Sequence, residues 1–151
     1  MFKRQAVLPI GKYSFFLFGP RQTGKTTLIQ NTLKTTGTPH FSIDLLELET
    51  YLKYNRDPGL FRQEIEHWLK KNQKGVVFVD EIQKLPVLLD YVHRLIESRG
   101  RKFLMTGSSA RKLRKSGENI NLLGGRAWES HLMPLTYAEI PQFNLERYLN
   151  Q

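Results

Sequence analysis

Residues 13–27, Tyr-Ser-Phe-Phe-Leu-Phe-Gly-Pro-Arg-Gln-Thr-Gly-Lys-Thr-Thr, constrain the rest of the chain more than any other stretch. An apolar run, Phe15-Phe16-Leu17-Phe18, ends at Gly19, and a helix-compatible segment opens at Thr26-Thr27-Leu28. Between them the residues spell G-x-x-x-x-G-K-T, with Pro20, Arg21, Gln22 and Thr23 in the variable positions. Gly19 and Gly24 allow a tight backbone bend whose successive N–H groups form an anion-binding nest. The helix that follows points its positive end at the same place. Within this Walker A pattern Lys25 is the candidate to reach β- and γ-phosphates, and the Thr26 hydroxyl to ligate Mg²⁺. The competing reading is an ordinary surface turn that happens to hold a lysine. A strand before and a helix after argue against it.

A second stretch supplies the acids. Residues 76–81, Val-Val-Phe-Val-Asp-Glu, form a continuous apolar run that ends in two carboxylates. A strand apolar on both faces belongs inside a parallel sheet covered by helices. Ligands of such sheets sit beyond the carboxyl ends of the strands, where Asp80 and Glu81 fall. This is the Walker B pattern: Asp80 is the candidate to hold Mg²⁺ and Glu81 to polarise an attacking water. Alone it is a weak signal, and an acidic pair capping a turn reads the same way. Together with the upstream loop it is strong.

Strands and helices alternate along the remaining chain. Gly24 to Thr35 reads as a helix ended by Gly37 and Pro39, and residues 40–45 as a strand. Residues 46–55 look helical. Asp57-Pro58 reads as an N-cap with proline at the first helical position, opening a helix with Phe61, Ile65, Trp68 and Leu69 on one face. The spacing of Leu85, Leu88, Leu89, Val92, Leu95 and Ile96 predicts a helix over 85–99, stopped at Gly100. Residues 102–109 read as a fourth strand and 129–136 as a fifth. Thr136-Tyr-Ala-Glu139 then opens like a capping box for a helix running to Asn150. This alternation predicts a three-layer α/β fold on a parallel sheet, one domain across residues 1–151.

Composition narrows the partners. No apolar run approaches the roughly 18 residues a membrane span needs. There are no cysteines, so neither a disulfide framework nor a cysteine zinc site is available. His40, His67, His93 and His131 lack metal-ligand spacing. With no secretory signal at the N-terminus, the expectation is a cytoplasmic protein. The net charge of +9 admits two readings, nucleic-acid binding or a solvated basic surface. The excess concentrates in Arg99, Arg101, Lys102, Arg111, Lys112, Arg114 and Lys115, where only Phe103 interrupts as an aromatic. Nucleic acid is therefore a possible partner and not the favoured one.

Five stretches together resemble one family. They are Gly19 to Leu28, Val79-Asp-Glu-Ile-Gln-Lys-Leu-Pro86, Phe103-Leu-Met-Thr-Gly-Ser-Ser-Ala-Arg-Lys-Leu113, Leu123-Gly-Gly-Arg-Ala127 and Leu132-Met-Pro-Leu-Thr136. The chain resembles the bacterial and archaeal AAA-type P-loop ATPases whose full chains carry a C-terminal nuclease-like domain of unknown function. The resemblance implies a five-stranded parallel sheet with the fourth strand between the Walker A and Walker B strands. It implies ATP and Mg²⁺ as cofactors, and a polar residue at the end of the fourth strand that senses the γ-phosphate. Ser108 matches best, with Thr106 and Ser109 beside it. Arg111 and Arg126 are candidate phosphate-reaching arginines, in cis or across a subunit contact, an effect worth roughly 10³–10⁵ in rate where it occurs. For Arg126 a structural salt bridge is the equal alternative. Arg21 is a candidate to orient a neighbouring loop. The chain stops at Gln151 without the helical lid the resemblance implies, so a shortened member or a piece of a longer product is expected.

Four functional readings follow. The leading one is an Mg-ATP site capable of hydrolysis, with Gly19 to Thr27 around the phosphates, Thr26 and Asp80 on the metal, and Glu81 on the water. A GTPase is disfavoured because no N-K-x-D motif is present, and a kinase because the acid pair suits water activation better. From a different class comes a nucleotide-gated binding module without turnover. The apolar residues Ile140, Phe143, Leu145, Tyr148 and Leu149 further predict self-association if exposed.

Overall fold

Each segment of the computed structural model follows from a local sequence cause, and together they form three layers. The structure describes residues 4–108 and 125–140. The elements are β1 (Ser14–Phe18), α1 (Lys25–Thr36), β2 (His40–Asp44), α2 (Leu48–Arg56), α3 (Pro58–Lys71), β3 (Val76–Asp80), α4 (Leu88–Arg99), β4 (Lys102–Gly107) and β5 (Ala127–His131). Single 3₁₀ turns occupy Ile82–Lys84 and Tyr137–Glu139. The strands form one parallel sheet in the order β2-β3-β4-β1-β5. β4 lies between β1 and β3, as the resemblance implies.

Burial explains the layering. β1 and β3 are buried at every position, so successive side chains feed opposite layers. Phe15, Leu17, Phe78 and Leu104 pack with Ile29 and Leu33 of α1 and with Leu8. Phe16, Phe18, Val77, Val79, Phe103 and Met105 pack instead against Phe61, Ile65 and Leu69 of α3 and Leu88, Leu89, Val92 and Leu95 of α4. At the start of α3 the Asp57 carboxylate accepts the Gly59 N–H at 3.0 Å with Pro58 at the first helical position. Left-handed Gly37 and Gly100 close α1 and α4.

Several boundaries differ from the expected ones by a residue or more, and three of them bear on the packing or the site. The helix expected over 85–99 begins at Leu88, because Pro86 disfavours helical backbone at Leu85, which sits at φ −140°. Leu85 is still buried, as a pre-helical residue. The fifth strand runs over Ala127–His131 rather than 129–136. Its last pairing is Leu132 N–H to Phe18 O at 2.7 Å, after which Pro134 has no N–H to continue the ladder. The first two strand residues were obscured by Trp128, which is 62% exposed on this edge strand. Glu81 lies outside β3, in the turn that follows it. Of the expected helix after Thr136, Tyr137–Glu139 form the 3₁₀ turn and the part beyond residue 140 lies outside the described residues. So do the apolar positions on which self-association was expected, apart from Ile140, which is half-buried. No helix among the described residues is long and apolar enough to cross a membrane.

Candidate functional site

The phosphate loop is clamped between two strands before it turns. Gly19 N–H donates to Gly107 O at 3.2 Å on one side, and Leu132 N–H donates to Phe18 O on the other. A Cβ on residue 19 would stand 2.1 Å from the Leu132 carbonyl oxygen, so only glycine fits while β5 stays paired. Gly19→Ala is expected to destabilise the fold by about 1–3 kcal/mol through overpacking and to weaken nucleotide binding with it. Urea unfolding with and without Mg-ATP reads both. Wild-type stability in that variant would mean that the contact yields freely.

From Gly19 the loop runs through a left-handed Gln22 (φ 64°) and Gly24 (φ 83°) into α1. A non-glycine in that region is a strained position of the kind that collects at ligand sites. Thr23 Oγ1 donates to Pro20 O at 2.9 Å and braces the turn. No side chain caps α1 and no acid occupies its first turn, so its leading N–H groups and positive end face the loop. The Lys25 side chain is buried, its Nζ donating to Gly19 O at 3.0 Å and Pro20 O at 2.9 Å. The same ammonium lies 4.0 Å from Glu81 Oε1.

The acids meet the loop from β3. Thr26 Oγ1 donates to Asp80 Oδ2 at 2.7 Å. Thr106, fully buried on β4, donates its hydroxyl proton to Asp80 Oδ1 and accepts the Glu81 N–H at 2.9 Å. Burial pushes the Asp80 carboxyl above its usual range, against the pull of the Thr106 and Thr26 hydroxyls and with help from Asp44 and Glu81. A cation there would reverse that balance. Glu81 is left-handed at φ 56°. The Gln83 amide donates to Glu81 Oε2 and to Ser108 Oγ at 3.3 Å, joining the two through one side chain. Gln83 Oε1 is buried without a partner among the described residues.

Two cavities flank the loop. One of about 430 Å³ is lined by Arg21, Gln22, Gly24, Lys25, Thr26, Thr27, Leu46 and Glu81. The other, about 380 Å³, shares Arg21, Gln22, Gly24 and Thr27 but is completed by Pro20, Leu28, Pro134, Leu135 and Arg4. Arg4 is held there by Glu139, whose Oε1 is 3.3 Å from Arg4 Nε and accepts the Gln5 N–H at 2.9 Å. Glu139 Oε2 accepts the Thr136 N–H at 3.0 Å, one half of the capping box expected from sequence. The Thr136 and Gln5 N–H groups, with Arg4, hold the Glu139 carboxyl below its usual range.

The expected residues Gly19, Pro20, Arg21, Gln22, Thr23, Gly24, Lys25, Thr26 and Thr27 thus lie around one loop, with Asp80 and Glu81 facing it and Ser108 tied in through Gln83. Arg126 is elsewhere. It precedes β5, whose first residue pairs with Ser14, so it sits at the opposite end of the strands from Gly19. There it is 2.6 Å from Glu97 and 3.2 Å from His93. This placement corrects the expectation of a phosphate contact within the chain, and the salt-bridge alternative describes Arg126. Thr106, the buried neighbour of Ser108 on β4, is an Asp80 partner beneath the site. Arg111 and Ser109 lie outside the described residues.

Sequence reasoning missed Gln83, Arg4 and the Pro134–Leu135 wall. Gln83 had a signal in its place two residues after Glu81 in the Val79–Pro86 stretch. In the fold, Gly107 leaves room for it, since a Cβ there would stand 3.0 Å from Gln83 Oε1 and from the Phe18 ring. Arg4 had none, because its partner is 135 residues away.

A loop of this form after the first strand of a β2-β3-β4-β1-β5 parallel sheet, facing an acid pair at the carboxyl end of β3, defines a P-loop nucleoside-triphosphatase fold. The AAA domain family model matches residues 12–141, and the chain belongs to that family. No curated protein matches the chain.

The site's donors suit Mg²⁺. One carboxylate and one hydroxyl lie 2.7 Å apart, and no cluster of three His, Cys, Asp or Glu exists among the described residues. Mg²⁺ keeps several waters and takes one or two protein oxygens plus phosphate, which is what this pair can offer.

Proposed function

We propose that the chain binds Mg-ATP at this loop and hydrolyses it to ADP and phosphate. The observation that supports this most is the 2.7 Å hydrogen bond from Thr26 to Asp80, which joins the Walker A helix to the Walker B strand across 54 positions. In the bound state the Lys25 ammonium leaves the Gly19 and Pro20 carbonyls for the β- and γ-phosphates. The N–H groups of the loop and of the first turn of α1 hold the same oxygens. Thr26 and Asp80 would hold Mg²⁺, which when bound would offset phosphate charge. Glu81 accepts a proton from water as its oxygen bonds to the γ-phosphorus and the bond to the ADP oxygen breaks. Ser108 donates to the γ-phosphate, and Gln83 fixes the Glu81 carboxylate relative to it. The 380 Å³ cavity, with apolar Pro20, Leu28, Pro134 and Leu135, suits the base.

A second reading has its own support. Glu81 is engaged by the Gln83 amide and lies near Lys25, so its carboxylate is not free for water as it stands. In that reading the domain binds ATP as a switch without turnover.

Thermal unfolding with and without Mg-ATP, on wild type and Lys25→Ala, tests the binding both readings share. At about 100 times Kd the ligand is expected to add about 2.7 kcal/mol to wild type. Lys25→Ala should lose the shift while melting near the wild-type temperature without ligand. A folded wild type that gives no shift removes both readings.

A further inference from the structure

The helices α3 and α4 end beside the starts of β3 and β4, an edge of the domain at the opposite end of the strands from the nucleotide loop, and their ends carry a cluster of cations. Lys70 and Lys71 lie in the last turn of α3, and Arg99 in the last turn of α4. Lys74 precedes β3, and Arg101 and Lys102 lead into β4, whose Lys102 is paired with Val76. Arg101 donates to Gln73 O at 3.2 Å, which closes the gap between the two strand entries. Two adjoining hollows, about 280 and 410 Å³, share Lys70 and Gln73 along this edge.

Cations at helix C-termini have an ordinary explanation, since each helix end presents about half a negative charge. Here that explanation falls short. Among the described residues, ion pairs join Arg4–Glu139, Lys25–Glu81, Lys53–Glu64, His93–Glu97 and Arg126–Glu97, and none involves the six cations. The one acid lining either hollow among the described residues is Glu66. Six cations, less that carboxylate and two helix ends of about half a charge each, leave about four unbalanced positive charges.

We propose that this edge binds the phosphate backbone of a nucleic-acid duplex without reading its sequence. Arg99 and Arg101 offer planar forks suited to phosphate oxygens, and the lysines add mobile point charges. Among the described residues Leu69 and Leu95 of the hollows are buried and Pro39 is the one exposed apolar residue lining them, too little apolar surface to enter a bilayer or to seed a protein interface. No exposed aromatic among the described residues lines either hollow, and Phe103 is fully buried. The nearest rings, Phe41 and Trp68 in the hollow that shares Lys71, are half-buried, which favours a duplex over stacked single-stranded bases. The surface is separate from the phosphate loop, and its occupancy does not depend on the ATP reading.

Fluorescence anisotropy of the full chain with a labelled 30-base-pair duplex of arbitrary sequence tests this. Four contacts predict a log–log salt slope of about −3.6, or roughly a 10²-fold loss of affinity between 50 and 200 mM salt. The triple variant Lys70→Glu/Arg99→Glu/Arg101→Glu should lose more than tenfold in affinity at 50 mM salt. Arg56→Glu/Arg62→Glu/Arg94→Glu makes the same change in net charge at exposed positions elsewhere and should lose less than threefold. The milder Lys70→Gln/Lys71→Gln/Arg99→Gln keeps the test open if charge reversal unfolds the chain, and should flatten the slope by about 2.7. Lys25→Ala should bind duplex like wild type. Equal losses in the two charge-reversal variants, no duplex binding at 50 mM salt, or tighter binding to phosphatidylserine vesicles or to single strands would each overturn the proposal.

Discussion

Glu81→Gln is expected to lower ATP turnover by about 10²–10⁴-fold, the usual range for a positioned general base, equivalent to roughly 3–5 kcal/mol in the barrier. Nucleotide binding should survive. Glutamine fills the same volume, keeps an oxygen to accept from the Gln83 amide, and leaves the Thr106 bond to the residue 81 N–H in place. Removing a negative charge beside the phosphates also lowers repulsion, so the Mg-ATP affinity should match wild type or exceed it. Steady-state phosphate release and a binding titration separate the two quantities. Wild-type turnover in Glu81→Gln would remove Glu81 as the base. A wild type that binds Mg-ATP but releases no phosphate would leave the switch reading standing.

The fold was readable wherever a cause acts locally. Phe15 to Phe18 and Val76 to Val79 are continuous apolar runs, which only a sheet covered on both faces accommodates. Asp57-Pro58 marked a helix start to the residue, and Gly37 and Gly100 marked two ends. Lys25, Thr26, Asp80 and Glu81 were readable as one cluster because the two motifs fix their spacing at the ends of two strands, and the fold does bring them together. Contacts made by the fold alone were not. Arg126 resembles any other arginine in a G-G-R stretch until the β5–β1 register puts it at the far end of the sheet beside Glu97. Glu139 reads as a cap, and only the folded chain brings Arg4 and Gln5 to its other oxygen. The basic edge was half visible: Arg99, Arg101 and Lys102 stood out along the chain, but topology was needed to bring Lys70, Lys71 and Lys74 beside them.

Phe61→Ala is expected to cost about 3–5 kcal/mol, the range for truncating a buried phenylalanine, against a total stability of about 5–15 kcal/mol. Phe61 is fully buried on α3. It meets Tyr54 of α2 edge-on at 5.6 Å and Tyr91 of α4 at 6.5 Å, so one ring ties three helices to the sheet. The space it leaves is walled by other elements and collapses only in part. Neither nucleotide cavity is lined by Phe61, so the intrinsic affinity for Mg-ATP should be unchanged. Ligand at about 100 times Kd should therefore return about 2.7 kcal/mol of the loss. This makes Phe61→Ala the mirror image of Lys25→Ala. The first variant melts early and keeps its ligand shift; the second melts normally and loses it. Urea midpoints of both variants, with and without Mg-ATP, give the comparison in one experiment. A Phe61→Ala cost below about 1 kcal/mol would mean that α3 is not packed on the sheet through this ring. A lost ligand shift in folded Phe61→Ala protein would mean that the helical layer shapes the nucleotide loop directly.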